Sequence, residues 1–183
     1  CDYEPQLLGT AGTLRRHAGN YLEGSLLVAH ADNWCQCDLS AFLESHQRKV
    51  LSGAVMSMMT FRTDSPSDCG IVTTDKRSTV TGFYEKVGNP PGNLANGAVY
   101  ILEPEVLDWL LHHPECSDLS TQVIPEFLGR ITAWENTGVH RDIGTLSSLL
   151  EAQIDKDPGS CWNSIDEWER QFQDNSIHQE LKR

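Results

Sequence analysis

The chain has 183 residues, with 14 lysines and arginines against 26 aspartates and glutamates, and its formal net charge is −12. Such an acidic surface repels phosphates, which argues against a nucleic-acid partner or an anionic membrane. A hydrophobic content of 39% is ordinary for a globular protein of one domain or slightly more. No apolar run approaches the ~20 residues of a membrane span.

Six cysteines are spaced irregularly along a chain that is not small, so we expect free thiols and a cytoplasmic protein rather than a disulfide framework. A zinc site is one interpretation of five residues that lie close in sequence: His30, Asp32, Cys35, Cys37 and Asp38. A Cys-x-Cys spacing is tighter than a standard structural zinc pair, and no second Cys/His pair follows at a suitable spacing. We therefore do not expect zinc.

Residues up to 61 alternate between helical and strand-like segments. A glycine-bearing turn at 8–14 runs into a helix, and the apolar run 25–30 suits a buried parallel strand. Asp38 can cap a second helix, and 54–61 is typical of a second buried strand. The inward face of the second helix should comprise Leu39, Phe42 and Leu43.

The middle of the chain predicts a hairpin, a loop and a further strand. Residues 69–74 and 79–85 are strand-like and are joined by a polar turn. A loop rich in proline and glycine covers 88–93, and a strand follows at 98–102. Pro104 then suits the first turn of a helix.

The following segment predicts two helices around two strands. A helical pattern covers 119–128 and ends at Gly129, and strands follow at 131–134 and 138–143. Thr145 then begins a helix whose inward residues would be Leu146, Leu149, Leu150 and Ile154.

Strands separated by helices predict an α/β fold with a mixed, mostly parallel sheet flanked by helices. A break at 155–159 divides the chain into a domain at 1–154 and a helical tail at 155–183. A capping box at 164–167 starts the tail helix. We expect its apolar stripe to pack back on the domain, and a partner-binding helix is the alternative; the stripe consists of Ile165, Trp168 and Phe172.

Two aspartates lie at the ends of predicted strands. Asp32 follows the strand that ends at His30, and Asp142 precedes the helix that begins at Thr145. Ligands of open α/β sheets bind beyond the carboxyl ends of the strands, and carboxylates there suit magnesium bound together with phosphate oxygens. The two acids could therefore share one cation. The alternatives are a turn cap for Asp32 and a helix-start acid for Asp142.

The segment around residues 8–14 is a candidate nucleotide-binding turn. Small residues, among them Gly9 and Thr10, let the backbone approach a flat base or a phosphate, and free N–H groups at the helix start can donate. Glu4 lies five residues before Gly9. Its carboxylate could accept from N1–H and the exocyclic amine of guanine, which adenine and the pyrimidines cannot jointly supply. The alternatives are turn-forming glycines and a solvated surface acid.

Three further residues suit a phosphorylated sugar. Lys86 could hold a phosphate and Glu85 a sugar hydroxyl, although such a pair is usually a solvated strand edge. Asn96, near the next predicted strand, can both donate and accept hydrogen bonds, as carbohydrate recognition requires.

The order of these motifs resembles the sugar-1-phosphate nucleotidylyltransferases, especially mannose- or heptose-1-phosphate guanylyltransferases. The resemblance covers residue 1 to about residue 153 and implies a glycosyltransferase-A-like, Rossmann-related fold. The motifs that carry it are Leu8-Gly9-Thr10-Ala11-Gly12, Leu27-Val28-Ala29-His30-Ala31-Asp32-Asn33, Tyr84-Glu85-Lys86, Asn96-Gly97-Ala98-Val99-Tyr100 and Asp142-Ile143-Gly144-Thr145.

The resemblance implies in-line attack of a sugar-1-phosphate oxygen on the α-phosphorus of GTP, with release of pyrophosphate. Such a reaction needs alignment and charge neutralisation more than covalent chemistry. Asp32, Asp142 and Lys86 would be the catalytic residues. By position, the nucleotide would contact Glu4, Gly9 and Thr10, magnesium Asp32 and Asp142, the sugar Glu85 and Asn96, and the sugar phosphate Lys86.

The chain also departs from this family. It lacks the signature Gly-x-Gly-x-Arg-Leu loop that wraps the triphosphate, so we expect the sequence to begin downstream of the family's opening strand-helix unit. We expect a sequence truncated at its N-terminus; the alternatives are a missing segment supplied by another chain and a protein that has lost catalysis. Residue 31 is alanine where many relatives have glycine, and the usual Asn-Ala-Gly reads Asn96-Gly97-Ala98.

Three hypotheses follow for function. The first is a guanylyltransferase that uses a nucleoside triphosphate, a sugar 1-phosphate and Mg²⁺, without nucleic-acid or membrane partners and with a possible homodimer. UTP or dTTP is a variant within it. The second is a non-catalytic nucleotide-sugar-binding or regulatory module of the same fold. The third is another transferase of related fold, which an Asp-x-Asp pair would support, but Asp32-Asn33-Trp34 lacks the second acid.

Overall fold

The computed structural model describes residues 3–155. The chain divides into two units, Cys1–Gln153 and Ile154–Arg183. The tail helix expected after Ser164 lies outside the described residues. None of the helices in the described part of the chain has the length and apolar character that crossing a membrane requires.

Helices and strands alternate along the first unit, as the sequence predicts. Two short 3-10 helices, Pro66–Asp68 and Ile124–Phe127, and a π-helical turn, Leu119–Val123, lie in the connections. The longer elements are α1 (Gly9–Ala18), β1 (Leu26–Ala29), β2 (Asn33–Cys35), α2 (Leu39–Val50), β3 (Met56–Arg62), β4 (Gly70–Thr74), β5 (Val80–Glu85), β6 (Leu94–Leu102), α3 (Pro104–Leu111), β7 (Ile131–Glu135), β8 (His140–Asp142) and α4 (Leu146–Ala152).

The main sheet has six strands in the order β5-β4-β6-β3-β7, with β1 also paired to β6. Because β3 follows β6 from Leu102 to Leu94, β4 and β1 share the opposite edge of β6. The pairings orient β1, β3, β4 and β7 in one direction and β5 and β6 in the other. The predicted α/β class with a mixed, mostly co-directional sheet is confirmed. Strands β2 and β8 form a separate antiparallel ribbon, and β2 was not predicted.

Apolar layers cover both faces of the sheet. On one face Met56 and Met58 of β3 pack with residues of α1 and α3, such as Ala11 and Leu107. On the other face Met59 packs with Phe42 of α2. The near-continuous apolar run of β3 reflects this burial on both faces.

A buried polar network ties α2 to the sheet. The imidazole of His46, only 3% exposed, lies 2.8 Å from Ser57 Oγ through Nδ1 and 2.9 Å from Glu103 Oε1 through Nε2. The Ser25 hydroxyl donates to the same carboxylate. Every polar group of the imidazole thereby has a partner, which offsets its removal from water.

The structure corrects the prediction of a helix over 119–128. A π-helical turn at Leu119–Val123 passes directly into a 3-10 turn at Ile124–Phe127. Pro125 lacks a backbone N–H, so a regular α-helix through this position would lose a hydrogen bond. The predicted end at Gly129 is confirmed, and its φ of +85° is the left-handed conformation typical of glycine there.

Predicted burial is wrong for several apolar residues. Thr145 caps α4 as expected, but no residue of α4 is buried. In β1, burial alternates and Leu27 is 43% exposed, so it is not the fully buried strand that the apolar run predicted. Helical or strand periodicity identifies an apolar face but not what covers it. The other exposed residues are Leu39, Leu43, Leu146, Leu149, Leu150 and Ile154.

Gly129 and Gly19 allow the energetic cost of backbone conformation to be measured without a steric contribution. A Cβ at Gly129 or at Gly19 would meet nothing within 4 Å, but φ is +85° at Gly129 and −58° at Gly19. Gly129→Ala should therefore lower the free energy of unfolding by about 1–2 kcal/mol. Gly19→Ala, the matched control, should raise it by about 0.4–1 kcal/mol. Urea denaturation measures both, and equal effects would contradict this interpretation.

Candidate functional site

A cavity of about 390 Å³ lies between the start of α1 and the end of β1. All three residues predicted to bind the nucleotide line it. Val28 and Leu119, which are distant from Glu4 in sequence, line it as well. Its lining includes Glu4, Gly9, Thr10, Val28, His30 and Leu119. A cavity with a mainly apolar wall and few polar groups is typical of sites for flat ligands.

Gly9 shapes one wall of this cavity. Its φ is +74°, and a Cβ at this position would lie 2.2 Å from the carbonyl oxygen of Ser117. The same carbonyl accepts a hydrogen bond from Ala11 N at 3.0 Å, and Thr10 Oγ1 accepts one from Leu119 N at 2.8 Å. The turn is thus fastened to residues 117–119. The Thr10 hydroxyl therefore stabilises the wall of the cavity, a role that the sequence did not indicate.

Glu4 presents an unusual carboxylate to the same cavity. Its Oε1 is buried and accepts no hydrogen bond within the described part of the chain. A buried polar atom without a partner costs about 1–3 kcal/mol, so such atoms are rare in native proteins and call for a physical reason. A ligand with N–H donors in the cavity would supply that reason.

The ribbon of β2 and β8 places the backbones of the two predicted metal ligands side by side. Asn33 is opposite Asp142, and Ile143 N donates to the carbonyl oxygen of Asp32 at 2.9 Å. Asp32 and Asp142 are both exposed. Asp142 Oδ1 also accepts from Gly144 N at 2.7 Å, which holds the carboxylate at the end of β8.

The two acids could hold a cation only in a sparse site. Residues 3–155 contain no group of three or more His, Cys, Asp or Glu side chains that could hold a metal ion. Magnesium typically uses one or two carboxylates, with substrate phosphates and water completing its octahedron. Two exposed carboxylates from adjacent ends of the ribbon fit that donor set.

A bulge in β6 joins the parts of the site. Between the pairs Met58–Tyr100 and Thr60–Asn96, β6 has two more residues than β3, and Ala98 adopts a φ of +51°. The bulge turns two carbonyl groups outward. Gly97 O accepts from Asn33 Nδ2 at 3.3 Å, and Ala98 O accepts from His30 N at 3.3 Å.

Glu85 and Asn96 lie on either side of β4. Gly70 is opposite Glu85, and its neighbour Ile71 is opposite Ala95, so Gly70 is in register with Asn96. A Cβ at Gly70 would lie 2.6 Å from Glu85 Oε2, which means that the carboxylate extends over the glycine. The missing side chain leaves this space to the Glu85 carboxylate and to the Phe83 ring, whose Cζ would lie 2.7 Å from the same Cβ. We call the surface formed by Glu85, Gly70 and Asn96 the polar patch.

Tyr100 holds Asn96 in place. Asn96 Nδ2 donates to the Tyr100 hydroxyl at 2.6 Å, and Asn96 Oδ1 accepts from Ala98 N at 3.0 Å. Burial raises the pKa of Tyr100 to about 12, and the negative charge of Glu85 contributes to the shift. The hydroxyl therefore stays neutral and can both donate and accept. Sequence reasoning missed Tyr100, although it lies four residues after Asn96 on the same strand.

Lys86 follows β5 with its side chain exposed. Its φ is +47°, and its N–H donates to Cys69 O at 3.2 Å, which fixes the backbone where the strand ends. Because it directly follows Glu85 in sequence, it lies next to the polar patch.

His140 is a second residue that the sequence reasoning missed. Its ring lies 4.3 Å from that of Phe61, and a Cβ at Gly97 would be 3.2 Å from His140 Cε1. Burial lowers the pKa of His140, while the charge of Asp142 opposes that shift. Its position two residues before Asp142 on one strand was the available signal, since alternate residues share a face.

Tyr100→Phe tests whether the tyrosine hydroxyl supports the polar patch. The change leaves the part-buried Nδ2 donor of Asn96 without the Tyr100 acceptor, so the free energy of unfolding should fall by about 1–3 kcal/mol. Tyr84→Phe is the matched control, because that tyrosine is 38% exposed and its change should cost less than about 0.5 kcal/mol. Urea denaturation monitored by circular dichroism measures both. Similar small losses in the two variants would contradict the role of the Tyr100 hydroxyl.

The described residues form an α/β domain in which two exposed aspartates lie near strand ends and a cavity lies between α1 and β1. Residues 1–157 match the model of the nucleotidyl transferase family, and the chain belongs to that family. The family predicted from the motifs is thereby confirmed.

Named relatives span several activities. The chain is 27% identical over 156 residues to a mannose-1-phosphate guanylyltransferase of Mycobacterium tuberculosis, covering 83% of this chain and 42% of the relative. It is 29% identical over 138 residues to a glucose-1-phosphate adenylyltransferase of Clostridium beijerinckii, covering 71% of this chain and 36% of the relative. The chain therefore spans less than half the length of these curated relatives. Their names include two different nucleotides, so family membership does not by itself select the base.

A solved structure shares the fold. HddC from Yersinia pseudotuberculosis superimposes with a TM-score of 0.67 at 21% sequence identity, over 81% of this chain and 63% of that one.

Proposed function

We propose that this chain serves nucleotidyl transfer from GTP to a sugar 1-phosphate of the mannose or heptose type. The acceptor's phosphate oxygen would bond to the α-phosphorus of GTP while the bond from that phosphorus to the bridging oxygen breaks. The products are a GDP-sugar and pyrophosphate. Family membership and the cavity between α1 and β1 support the class of reaction.

The buried oxygen of Glu4 carries the proposal for guanine. A carboxylate accepts two hydrogen bonds, which matches the N1–H and exocyclic amine on one edge of guanine. Adenine presents an unprotonated N1 on that edge, and its lone pair would face the carboxylate. Uracil would offer one N–H flanked by two carbonyl groups. Guanine therefore gives Oε1 of Glu4 the donor that the described protein does not supply.

The carboxylates of Asp32 and Asp142 are the residues that would hold Mg²⁺. When bound, the ion supplies charge neutralisation for the phosphates. The protein's own part is to fix the two acids, through the β2–β8 pairing and through the hydrogen bond from Gly144 N to Asp142. Local carboxylates that gather a cation explain how a chain of net charge −12 could accept polyanionic substrates.

The polar patch over Gly70 supports the assignment of the sugar. Glu85 can accept from sugar hydroxyls, and the exposed Lys86 can attract the sugar phosphate as a point charge. Asn96 is held by Tyr100 and by its own turn, so its amide is oriented before any ligand arrives. Orientation in advance reduces the entropy cost of binding.

Glu4→Gln tests the choice of base. The amide can accept through one atom only and places a donor beside the guanine edge, so GTP binding should weaken by about 1.5–3 kcal/mol, or roughly 10- to 150-fold. ATP binding should change little. Isothermal titration of the full chain with each nucleotide measures both.

Glu23→Gln is the control, because Glu23 is exposed and does not line the cavity. An equal loss for GTP and ATP in Glu4→Gln, or no loss for either, would contradict guanine recognition. Neither outcome would test the class of reaction, which the Asp32 and Asp142 variants test separately.

Asp32→Asn and Asp142→Asn test the metal assignment. Each removes one charge from the proposed magnesium site, so the Mg²⁺-dependent part of GTP binding should disappear. In a complete chain that includes the glycine-rich loop, pyrophosphate release with GTP and mannose 1-phosphate should fall by about 10²–10³. Asp64→Asn, at an exposed acid in a loop, should leave both measurements unchanged.

Unaltered magnesium dependence in Asp32→Asn and Asp142→Asn would contradict the assignment of these two ligands. GDP-mannose binding without pyrophosphate release by a complete chain that includes the glycine-rich loop would contradict turnover and favour a nucleotide-sugar-binding module.

A further inference from the structure

Three sulfur atoms meet beside the β2–β8 ribbon, in a cluster made by Cys35, Cys37 and Met59. Cys35 Sγ lies 3.6 Å from Met59 Sδ. The thiols of Cys35 and Cys37 are within hydrogen-bonding distance of each other, although Cys37 follows the end of β2. The cluster is separate from the cavity between α1 and β1, and the proposed reaction does not use it.

The surroundings of this sulfur cluster are apolar on the side of the sheet. Met59 belongs to the buried layer that includes Phe42 and Ile101, and both cysteines pack against that layer. Cys35 and Cys37 are themselves only half-buried, so a small ion can reach them from solvent. A partly dry site with sulfur donors favours soft ions over strongly hydrated hard ions.

The distance between Cys35 Sγ and Met59 Sδ is compatible with one ion bound to both. Three sulfurs placed trigonally at about 2.3 Å from a metal ion, a usual metal–thiolate distance, lie about 4 Å apart. The distance of 3.6 Å between Cys35 Sγ and Met59 Sδ requires only a small expansion. Asn136 Nδ2 donates towards Cys35 Sγ at 3.7 Å, and such an outer contact can orient a thiolate ligand.

We propose that Cys35, Cys37 and Met59 form a binding site for a soft monovalent ion, copper(I), with two thiolates and one thioether as ligands. Thioether sulfur and thiolate pairs are ligands that copper(I) prefers, whereas zinc usually takes four nitrogen or sulfur ligands in a tetrahedron. His140 is opposite Cys35 in the ribbon, but no group of three or more His, Cys, Asp or Glu side chains in residues 3–155 could hold a metal ion, so the donors of the cluster are its three sulfurs. This donor set selects copper(I) over zinc. This proposal does not rest on the proposed nucleotidyl transfer.

Copper(I) binding releases protons and changes no oxidation state. Copper(I) bonds to both cysteine sulfurs while the two S–H bonds break, and two protons leave to solvent. Burial raises the pKa of Cys35 to about 12 and also raises that of Cys37, so both thiols are protonated before the ion binds. Affinity should therefore increase with pH, because fewer protons compete for the sulfurs.

Anaerobic transfer of copper(I) from its coloured bicinchoninate complex to the full chain tests the proposal. The wild-type chain should remove a copper(I) equivalent that Cys35→Ser and Cys37→Ser do not remove. Met59→Leu, which keeps the side-chain volume, should weaken transfer by about tenfold. Cys69→Ser is the control, since Cys69 contacts Thr63 and lies outside the cluster, and it should behave as wild type.

Two further measurements keep the test decisive if a serine variant does not fold. Copper(I) should protect Cys35 and Cys37 of the wild-type chain from alkylation, read by mass spectrometry, and should leave Cys69 reactive. Wild-type transfer should release two protons for each copper(I) bound to this site. Unchanged transfer in both folded serine variants, unprotected cysteines, or equally tight zinc binding that depends on the same cysteines would overturn the proposal.

Discussion

The bulge in β6 is the constraint on which the arrangement of the site depends. Consecutive carbonyl groups of a regular strand point to opposite neighbours, so one of those of Gly97 and Ala98 would face β3. Here they accept instead from Asn33 and from His30 N. The same irregularity places Asn96 where Tyr100 can hold its amide. One local departure from strand geometry thus connects the loop after β1, the β2–β8 ribbon and the polar patch over Gly70, as bulges near active sites often do.

Ala98 shows that this geometry is costly for the residue that adopts it. A φ of +51° is strained for a residue with a Cβ, and the surrounding contacts must hold it in place. Those contacts come from both directions, since Ala98 N donates to Asn96 Oδ1 and Ala98 O accepts from His30 N. Strain that neighbours maintain in this way concentrates at functional sites and fits a segment that has to keep one conformation.

Much of the fold could be predicted from the sequence because its signals are local. The cap at Asp38, the hairpin of β4 and β5, and Pro104 at the start of α3 depend on nearby residues and were confirmed. The burial of α4 and β1 was not, because it depends on packing partners distant in sequence. The break of the helix at 119–128 had a local signal in Pro125, which the apolar periodicity outweighed.

The candidate site could be predicted in its members more readily than in its contacts. The positions of Asp32 and Asp142 after strands indicated two acids at strand ends, and the ribbon pairs their neighbourhoods. Tyr100 and His140 were missed because a tyrosine and a histidine on strands have ordinary structural uses. The unpartnered Oε1 of Glu4 also depends on three-dimensional burial, which no spacing in the sequence reveals.

The close approach of Gly9 to Ser117 has a consequence for how such a protein can diverge. Any side chain at position 9 would collide with the carbonyl oxygen of Ser117, which also accepts a hydrogen bond from Ala11 N of α1. Substitutions of Gly9 are therefore not tolerated. Leu7 lines the same cavity but is 96% exposed, so its replacement would disturb little packing. Related proteins could therefore change the ligand that this cavity prefers through substitutions at its exposed rim, while Gly9 stays the same.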